Sequence, residues 1–233
     1  MIFDDAFILN VISLIAILAV IFLLIILYTR ANHVIDKRWK NNLRGLFQTL
    51  LASYVNTNRE SETEKIKKRI IKLTKTRERK QILLEEVADL YDNFSGVCSH
   101  RAIELYNDLS LYNLSLAKLR SSRWHKKMEG IVELSTMGYK KASDLIVPLL
   151  YHQNQDVRRT AKVALVELKK SKALDDIAKL PTEMSDWTSL SIIAILNRNP
   201  VKLSKAELER LKLSPSDSMR SLASHLEKHS LIH

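Results

Sequence analysis

The sequence predicts an all-α protein in which one N-terminal transmembrane helix precedes a series of stacked helical hairpins. Three observations indicate this class. Only four Gly and four Pro occur among 233 residues, which disfavours sheets joined by tight turns. Apolar residues recur at helical spacing along most of the chain, and in its second half a pattern repeats every 31 residues. The third observation is an N-terminal stretch without any ionised residue, from Ala6 to Tyr28.

That N-terminal stretch has the length of a membrane span. Its residues would form about 33 Å of helix, enough to cross the hydrocarbon core of a bilayer. Acidic residues precede it and no A-x-A-like site follows it, so we predict a retained anchor rather than a cleaved signal peptide. The positive-inside rule then places the N-terminus outside and the rest in the cytoplasm, because cations follow the span closely, namely Arg30, Lys37, Arg38, Lys40 and Arg44.

A strongly basic segment follows the anchor. Nine cations and the single acid Glu78 lie between Lys65 and Lys80, in a chain whose net charge is +11. A solvated helix face is the simplest interpretation of such a run. Near a membrane anchor, contact with anionic lipid or with an acidic partner is the alternative. The residues that we predict for that contact are Lys67, Lys68, Arg69 and Lys72.

A helical hairpin is predicted between Ala142 and Leu168. Its second arm has a narrow, alanine-rich apolar face, formed by Val157, Ala161, Ala164, Leu165 and Leu168. Asp156 is predicted to cap this arm. The first arm carries a second apolar stripe, formed by Leu145, Ile146, Leu149 and Leu150.

The same pattern recurs at a step of 31 residues from Arg123 onward. One phase, meaning one position of the 31-residue repeat, holds small or apolar residues, namely Gly130, Ala161, Ile192 and Ala223. A second phase holds Leu134, Leu165 and Leu196, and a third holds the cations Lys127, Arg158 and Arg220. Four hairpins are therefore predicted, the last two with arms at 174–180 and 187–196 and at 203–211 and 219–226. A single hairpin cannot bury its own stripe, so neighbouring hairpins must stack into a solenoid.

The segment Ile146-Val147-Pro148-Leu149-Leu150, followed by Asp156-Val157-Arg158, resembles the signature of a HEAT repeat, including the proline in its first helix. The resemblance implies an α-solenoid whose second helices line a concave face. On that face Lys127, Arg159 and Lys162 would bind an acidic protein segment. The family also implies that Arg158 pairs with Asp156 or with its counterpart in a neighbouring repeat. These features predict four segments: a tail at 1–5, the transmembrane helix at 6–28, a juxtamembrane helical region with the basic helix at 29–95, and the solenoid at 96–233.

The sequence offers little catalytic chemistry. It contains no glycine-rich phosphate loop, no Cys/His metal pattern and no G-x-S-x-G motif. Cys98 is predicted to be a half-buried thiol near a helix start, and His225, His229 and His233 to lie on a hydrated terminal helix. Some HEAT-like DNA glycosylases use a Trp and an Asp, but Trp187 beside Asp186 falls on the predicted core phase. We therefore predict a protein that is not an enzyme, with no catalytic residue, cofactor or metal, and these features disfavour a nucleic-acid partner.

The chain also resembles membrane-anchored bacterial HEAT proteins, some of which accompany envelope glycosyltransferases. This resemblance implies a single-pass protein of the bacterial inner membrane whose cytoplasmic domain is a scaffold or adaptor for another membrane protein, such as a glycosyltransferase or polysaccharide synthase. The alternative is a module that binds anionic lipid or nucleic acid through the basic helix and groove. The oligomeric state stays open, since no G-x-x-x-G motif occurs in the span.

Overall fold

The structure is a computed structural model that describes residues 5–57, 59–94, 96–180, 183–198 and 204–228, with side chains from 13 to 227. Over these residues the chain is entirely helical and contains no strand, which confirms the predicted all-α class. The helices are α1 (Asp5–Asn56), α2 (Glu60–Leu73), α3 (Arg77–Asn93), α4 (Val97–Asp108), α5 (Tyr112–Leu119), α6 (Trp124–Thr136), α7 (Ser143–Ile146), α8 (Gln155–Lys169), α9 (Lys172–Ala178), α10 (Asp186–Arg198), α11 (Lys205–Lys212) and α12 (Asp217–Lys228). Short 3₁₀ segments at Lys140–Ala142 and Val147–Tyr151 flank α7. Residues 1–4 of the predicted tail, and Leu203 in the fourth predicted hairpin, lie outside the described residues.

Helix α1 is 52 residues long and begins with the predicted span. From Ser13 onward it is long and apolar enough to cross a membrane, and none of its most apolar stretch is buried against protein. The aliphatic and aromatic side chains of this stretch, from Leu14 to Leu27, are exposed. Because a core helix of a water-soluble domain would bury at least one apolar face, this exposure is consistent with a lipid-facing helix.

The chain divides into two compact units, with the boundary between Glu86 and Val87 within α3. In the first unit, the second half of α1 packs with α2 and with the start of α3. The buried face of α1 has helical spacing and consists of Leu43, Phe47, Leu50, Leu51 and Tyr54. Ile70 of α2 and Ile82 and Leu83 of α3 are buried as well. This spacing follows from the period of 3.6 residues per turn, which returns one face of α1 to the interior at every turn.

Polar contacts join α3 to α1 along several turns. The Lys40 ammonium lies 2.8 Å from the Glu78 carboxylate, and Arg44 pairs with Glu85. Gln48 donates a hydrogen bond of 2.8 Å to Glu86, whose side chain is only 6% exposed. Because the residue numbers of these partners increase together along both helices, α3 runs in the same direction as α1.

In the second unit, one set of helices forms a continuous row. Helix α6 packs against α8, α8 against α10, and α10 against α12. The shorter helices contact this row and each other, since α5 packs on α6, α9 on α8 and α11, and α11 on α12. Residues at the step of 31 are buried at equivalent places of the row, as shown by Gly130, Ala161, Ile192 and Ala223 and by Leu134, Leu165 and Leu196. In the last unit Leu226, one residue before the step of 31, is buried instead.

Gly130 permits a close approach between α6 and α5. A Cβ atom at this position would lie 2.4 Å from the backbone nitrogen of Leu119 and 2.6 Å from the backbone oxygen of Ser115. Both atoms belong to α5 or its end and cannot move aside as a side chain could. The equivalent positions, Ala161 and Ile192, carry a side chain, so the glycine is required only where α6 meets α5.

The start of α8 differs from the prediction in its cap. The N-cap is Asn154, whose side-chain oxygen accepts hydrogen bonds from the backbone N–H groups of Asp156 (2.8 Å) and Val157 (3.2 Å). Asp156 lies instead in the first turn, where its charge faces the positive end of the helix. Asparagine and aspartate are both favoured caps, so composition alone could not place the boundary to within two residues.

Arg158 also differs from the prediction. Its guanidinium donates to the backbone oxygens of His152 (2.7 Å) and Gln153 (2.8 Å) rather than to an aspartate. These carbonyls follow the 3₁₀ segment Val147–Tyr151 and have no partner further along a helix. A cation is favoured at such a helix end because the exposed carbonyls carry partial negative charge.

Candidate functional site

A groove crosses three neighbouring helices of the row in the second unit. It has a volume of about 410 Å³ and is formed by α6, α8, α10 and the last turn of α3. Its apolar lining consists of Val132, Val163, Ala164, Trp187 and Ile195. Hydroxyl groups are interleaved with these side chains, from Ser135, Thr136, Thr160, Thr188 and Ser191. A surface of this kind offers both apolar contact and hydrogen-bonding positions to a ligand.

Trp187 is the most exposed large hydrophobic side chain of the groove, at 77%. The prediction that it belongs to the core phase is therefore wrong. The buried face of α10 consists of Thr188, Ile192, Ile195 and Leu196, which lie 31 residues after Val157, Ala161, Ala164 and Leu165. Trp187 precedes this face by one residue, a rotation of about 100° around the helix, and so occupies the position equivalent to Asp156.

The groove hydroxyls are oriented by their own helices. Thr160 donates to the backbone oxygen of Asp156 at 2.8 Å, and Ser191 donates to that of Trp187 at 2.8 Å. Ser135 donates in the same way to Val132 at 3.0 Å. With the hydroxyl protons engaged, these oxygens present lone pairs to the groove. A ligand would therefore meet acceptors and would need to supply donors such as peptide N–H groups.

A second depression of about 500 Å³ continues the groove and is more basic. The two share Tyr91, Ser135, Thr136, Glu167 and Arg198. The continuation adds four lysines to the lining, Lys140, Lys169, Lys170 and Lys172. Together the two depressions have six cationic side chains, with Arg159 and Arg198, against the acids Asp92 and Glu167. The groove thus has an apolar end near Trp187 and a basic end near Lys140.

Ion pairs occupy some of these cations. Lys169 lies 3.4 Å from Asp176, Lys170 lies 3.5 Å from Glu167, and Arg159 lies 3.5 Å from Asp156. Among the residues that the structure describes, Lys140, Lys172 and Arg198 form no such pair, and all three are exposed. They are the cations most available to an anionic ligand.

Two ionisable groups in the last turn of α3 have pKa values above their usual range. Burial raises the pKa of Tyr91, and the negative charge of Glu167 raises it further. Partial burial, with the neighbouring charge of Asp89, raises the pKa of Asp92. Both effects disfavour an additional negative charge at this wall of the groove.

The three residues predicted to bind a partner have different positions. Arg159 lines the groove. Lys127 instead donates to the backbone oxygen of Leu119 at 3.0 Å. Lys162 was expected to face solvent or a partner, but it is only 4% exposed, and burial followed by the charge of Arg158 lowers its pKa. The basic end of the groove arises from other lysines, which a helical repeat pattern did not indicate because they lie at helix ends and in turns.

The four residues predicted for lipid or acidic-partner contact lie on α2 in the first unit. Lys68, Arg69 and Lys72 are exposed. Lys67 is turned inward, with its ammonium 5.8 Å from the centre of the Tyr54 ring and 4.0 Å from Glu64.

Other candidate chemistry is sparse. Cys98 is half-buried near the start of α4, as predicted. Across the described residues, no group of three or more His, Cys, Asp or Glu side chains is placed to hold a metal ion. His229 and His233 of the predicted histidine series lie outside those residues. Their partner in the series, His225, is half-buried on α12.

Comparisons with known proteins do not assign a family. No protein-family model and no curated protein matches the sequence. A similar solved structure is an engineered protein determined by a structural genomics consortium. It is 12% identical over 78% of this chain and 95% of its own, with a TM-score of 0.31. A score this low assigns neither fold nor function, so the chemistry of the groove has to be considered by itself.

Proposed function

We propose that this protein is a membrane-anchored scaffold of the HEAT type that holds a segment of another protein in the groove across α6, α8 and α10. In this proposal α1 crosses a bacterial inner membrane with its N-terminus outside, and the second unit is a cytoplasmic solenoid. The apolar, unburied start of α1 supports the anchor. The cations that follow it support the orientation.

The solenoid is supported by the order of helix contacts and by the repeat. Successive row helices contact one another, and equivalent residues at the step of 31 are buried in each. In a stack of hairpins each unit buries its stripe against its neighbours, which would give this pattern. The row helices that form the groove would then be the second helices of the repeats, the set that lines the concave face in HEAT arrays.

The chemistry of the partner follows from the two ends of the groove. The observation that carries the proposal is an exposed Trp187 in a groove that continues into a basic end. Tryptophan is frequent among residues that dominate binding energy at interfaces. We infer a polypeptide segment with an apolar anchor against Trp187 and acidic residues toward Lys140 and Lys172. Peptide N–H groups would meet the hydroxyl oxygens between these ends.

The anchor favours a partner in the same membrane. Two proteins held at one surface meet at a raised effective concentration, so that a groove of modest affinity can maintain a complex. A glycosyltransferase or polysaccharide synthase is the partner class that the resemblance to bacterial HEAT proteins suggests. The proposed role is binding without catalysis.

Photo-crosslinking in native membranes tests this proposal. A photoreactive amino acid replaces Val163, which lines the groove, in the full-length chain. The matched control carries it at Leu213, which is 82% exposed and is not among the groove residues. We expect a discrete protein adduct from position 163 that Trp187→Ala removes and that position 213 does not form.

Ionic strength separates the proposal from its alternative. A protein partner held partly by apolar contact should still be crosslinked when irradiation is carried out at about 0.5 M salt, where the Debye length falls to a few ångströms. Binding of a lipid or nucleic acid through its phosphates should weaken steeply as the salt concentration rises to this value, so its crosslinking should be lost. Equal adducts from both positions, or none from position 163, would contradict the scaffold role.

A further inference from the structure

The turn between α2 and α3 lies at the end of the first unit that is nearest the membrane span. The turn that joins α1 to α2 is at the far end, where the hydroxyl of Thr57 donates to Glu62 at 2.8 Å. Helix α2 returns from there toward the span. The start of α3 is then level with Lys40 through the 2.8 Å pair with Glu78, and α3 runs back outward to Gln48.

The height of this turn above the membrane can be calculated from α1. Trp39, whose ring lies beside Arg79 at this turn, comes eleven positions after Tyr28, the end of the predicted span. This separation corresponds to about 16 Å of helix. Head groups extend about 5–8 Å beyond the hydrocarbon core, so with α1 perpendicular to the membrane the backbone of the turn would lie about 10 Å above them, a gap that helix tilt and extended Lys and Arg side chains shorten. That distance is close to one Debye length at physiological ionic strength.

Cations are concentrated at this turn. Lys72, Lys75, Arg77 and Lys80 are exposed, and among the described residues none forms an ion pair. Arg79 is held differently, with its guanidinium 5.6 Å from the centre of the Trp39 ring. Ile71, 55% exposed, lies beside Lys72. Exposed cations beside an exposed aliphatic side chain are typical of surfaces that meet a lipid interface.

The other end of α2 provides an internal comparison. Lys65, Lys68 and Arg69 are also exposed. Lys65 lies seven residues before Lys72 on α2, and therefore about 10 Å further from the span along the helix. Salt should largely screen the attraction between these distant cations and a membrane surface.

We propose that the α2–α3 turn, through Lys72, Lys75, Arg77 and Lys80, contacts anionic head groups of the membrane that α1 crosses. This inference rests on the anchoring role of α1 in the proposed function. Contact at the turn would hold the first unit close to the bilayer, because attraction to anionic lipid increases with each cation near the surface.

A head-group quenching experiment tests the contact. The full-length chain carries Cys98→Ser and Thr76→Cys, with a fluorophore on the new thiol at the turn. It is inserted into nanodiscs of phosphatidylcholine, with or without phosphatidylglycerol, each containing a lipid with a quencher on its head group. We expect quenching to rise at least about twofold with phosphatidylglycerol and to fall in high salt, as an electrostatic contact requires.

Two triple variants remove the same charge from different heights. Lys72→Gln, Lys75→Gln and Arg77→Gln together should abolish the increase caused by phosphatidylglycerol. Lys65→Gln, Lys68→Gln and Arg69→Gln should leave most of it. Quenching that is the same with and without phosphatidylglycerol, or that both variants reduce equally, would overturn the inference. Alkaline carbonate extraction identifies the cause of a failure: release of the chain refutes the anchor and this contact together, whereas retention without quenching refutes the contact alone.

Discussion

The guanidinium of Arg158 donates to the backbone oxygen of His152, six residues earlier, at 2.7 Å. Two repeat steps further on, Arg220 donates to the backbone oxygen of Ser214, also six residues earlier, at 2.6 Å. Lys127, one step before Arg158, donates to Leu119 at 3.0 Å. These cations bind carbonyl oxygens at or just after the end of the preceding helical segment.

The third repeat satisfies its helix end in another way. Ser189 occupies the phase of these cations. There the hydroxyl of Ser214, from the next repeat, donates to the backbone oxygen of Ala178 at the end of α9 at 2.8 Å. All four units therefore share a hydrogen-bonded carbonyl at this helix end, because unpaired backbone oxygens at a partly buried helix end are costly.

Replacing Arg158 should destabilise the second unit. Arg158→Met keeps much of the aliphatic stem but removes two charge-assisted hydrogen bonds, so we expect a loss of about 1–2 kcal/mol in unfolding free energy. Urea unfolding of the full chain in mild detergent measures it. The matched control is Arg159→Met, whose exposed pair with Asp156 should contribute less than about 0.5 kcal/mol. Equal losses for the two variants would show that the carbonyl contacts are not stabilising.

Gly130→Ala should be strongly destabilising. The added methyl group would overlap backbone atoms of Leu119 and Ser115, so α5 and α6 must separate, at a cost of about 1–3 kcal/mol or more. Gly45→Ala is the control, since a Cβ there has nothing within 4 Å and alanine favours a helix interior by about 0.5–1 kcal/mol. Thermal unfolding should shift in opposite directions for the two variants. A neutral Gly130→Ala would refute the close approach.

The carboxylate of Glu183 should make stability depend on acid pH. It accepts hydrogen bonds from the backbone N–H (2.9 Å) and hydroxyl (2.7 Å) of Ser218 and from the Ser216 hydroxyl (3.0 Å) at the start of α12. These bonds, those of Ser218 first, hold the pKa of Glu183 below its usual range, and Arg220 lowers it further. The ionised group therefore stabilises the fold above the unfolded-state pKa, and this stabilisation is lost as the pH falls through the lowered folded-state value.

Glu183→Gln should accordingly lower the thermal midpoint of the full chain at neutral pH. The difference from the natural chain should shrink below about pH 4, where the carboxyl group begins to protonate. Glu209→Gln, which removes a 3.2 Å surface pair with Lys212, serves as the control and should have little effect. A difference for Glu183→Gln that persists unchanged at strongly acid pH would contradict this role.

Trp187→Ala should separate binding from stability. The side chain is mostly exposed, so the unfolding free energy should change by less than about 0.5 kcal/mol. Partner affinity should nevertheless fall by about 2 kcal/mol or more, roughly thirtyfold, as expected for a tryptophan that anchors an interface. Leu213→Ala, at another exposed apolar position, should leave both quantities nearly unchanged. Affinity is measured on the captured complex by competition with a peptide of its bound segment.

Periodicity predicted much of the helical structure. The step of 31 identified Ala161, Ile192 and Ala223 as equivalent buried positions, because a helical hairpin buries the same face in every unit. The apolar stretch of α1 was equally clear from the absence of charge. Both signals are carried by many residues at once, so an error at one position does not change them.

The groove was harder to predict because single residues decide it. A shift of one residue moved Trp187 from the predicted core to the surface, since neighbours on a helix point about 100° apart. The environment of Lys162 depends on tertiary structure, since its side chain is buried and the charge of Glu183, from the segment before α10, acts on it. Lys140 and Lys172 become part of one basic end only when α6, α8 and α9 are packed together.

The most direct test of the scaffold role is the size of the particle that the full chain forms when it is extracted from native membranes with a mild detergent. We expect a complex larger than the detergent-bound single chain that persists at about 0.5 M salt, contains a second membrane protein, and dissociates in Trp187→Ala but not in Leu213→Ala. Recovery of the single chain alone, or of the same complex from the Trp187→Ala variant, would contradict the proposal that this groove holds a partner.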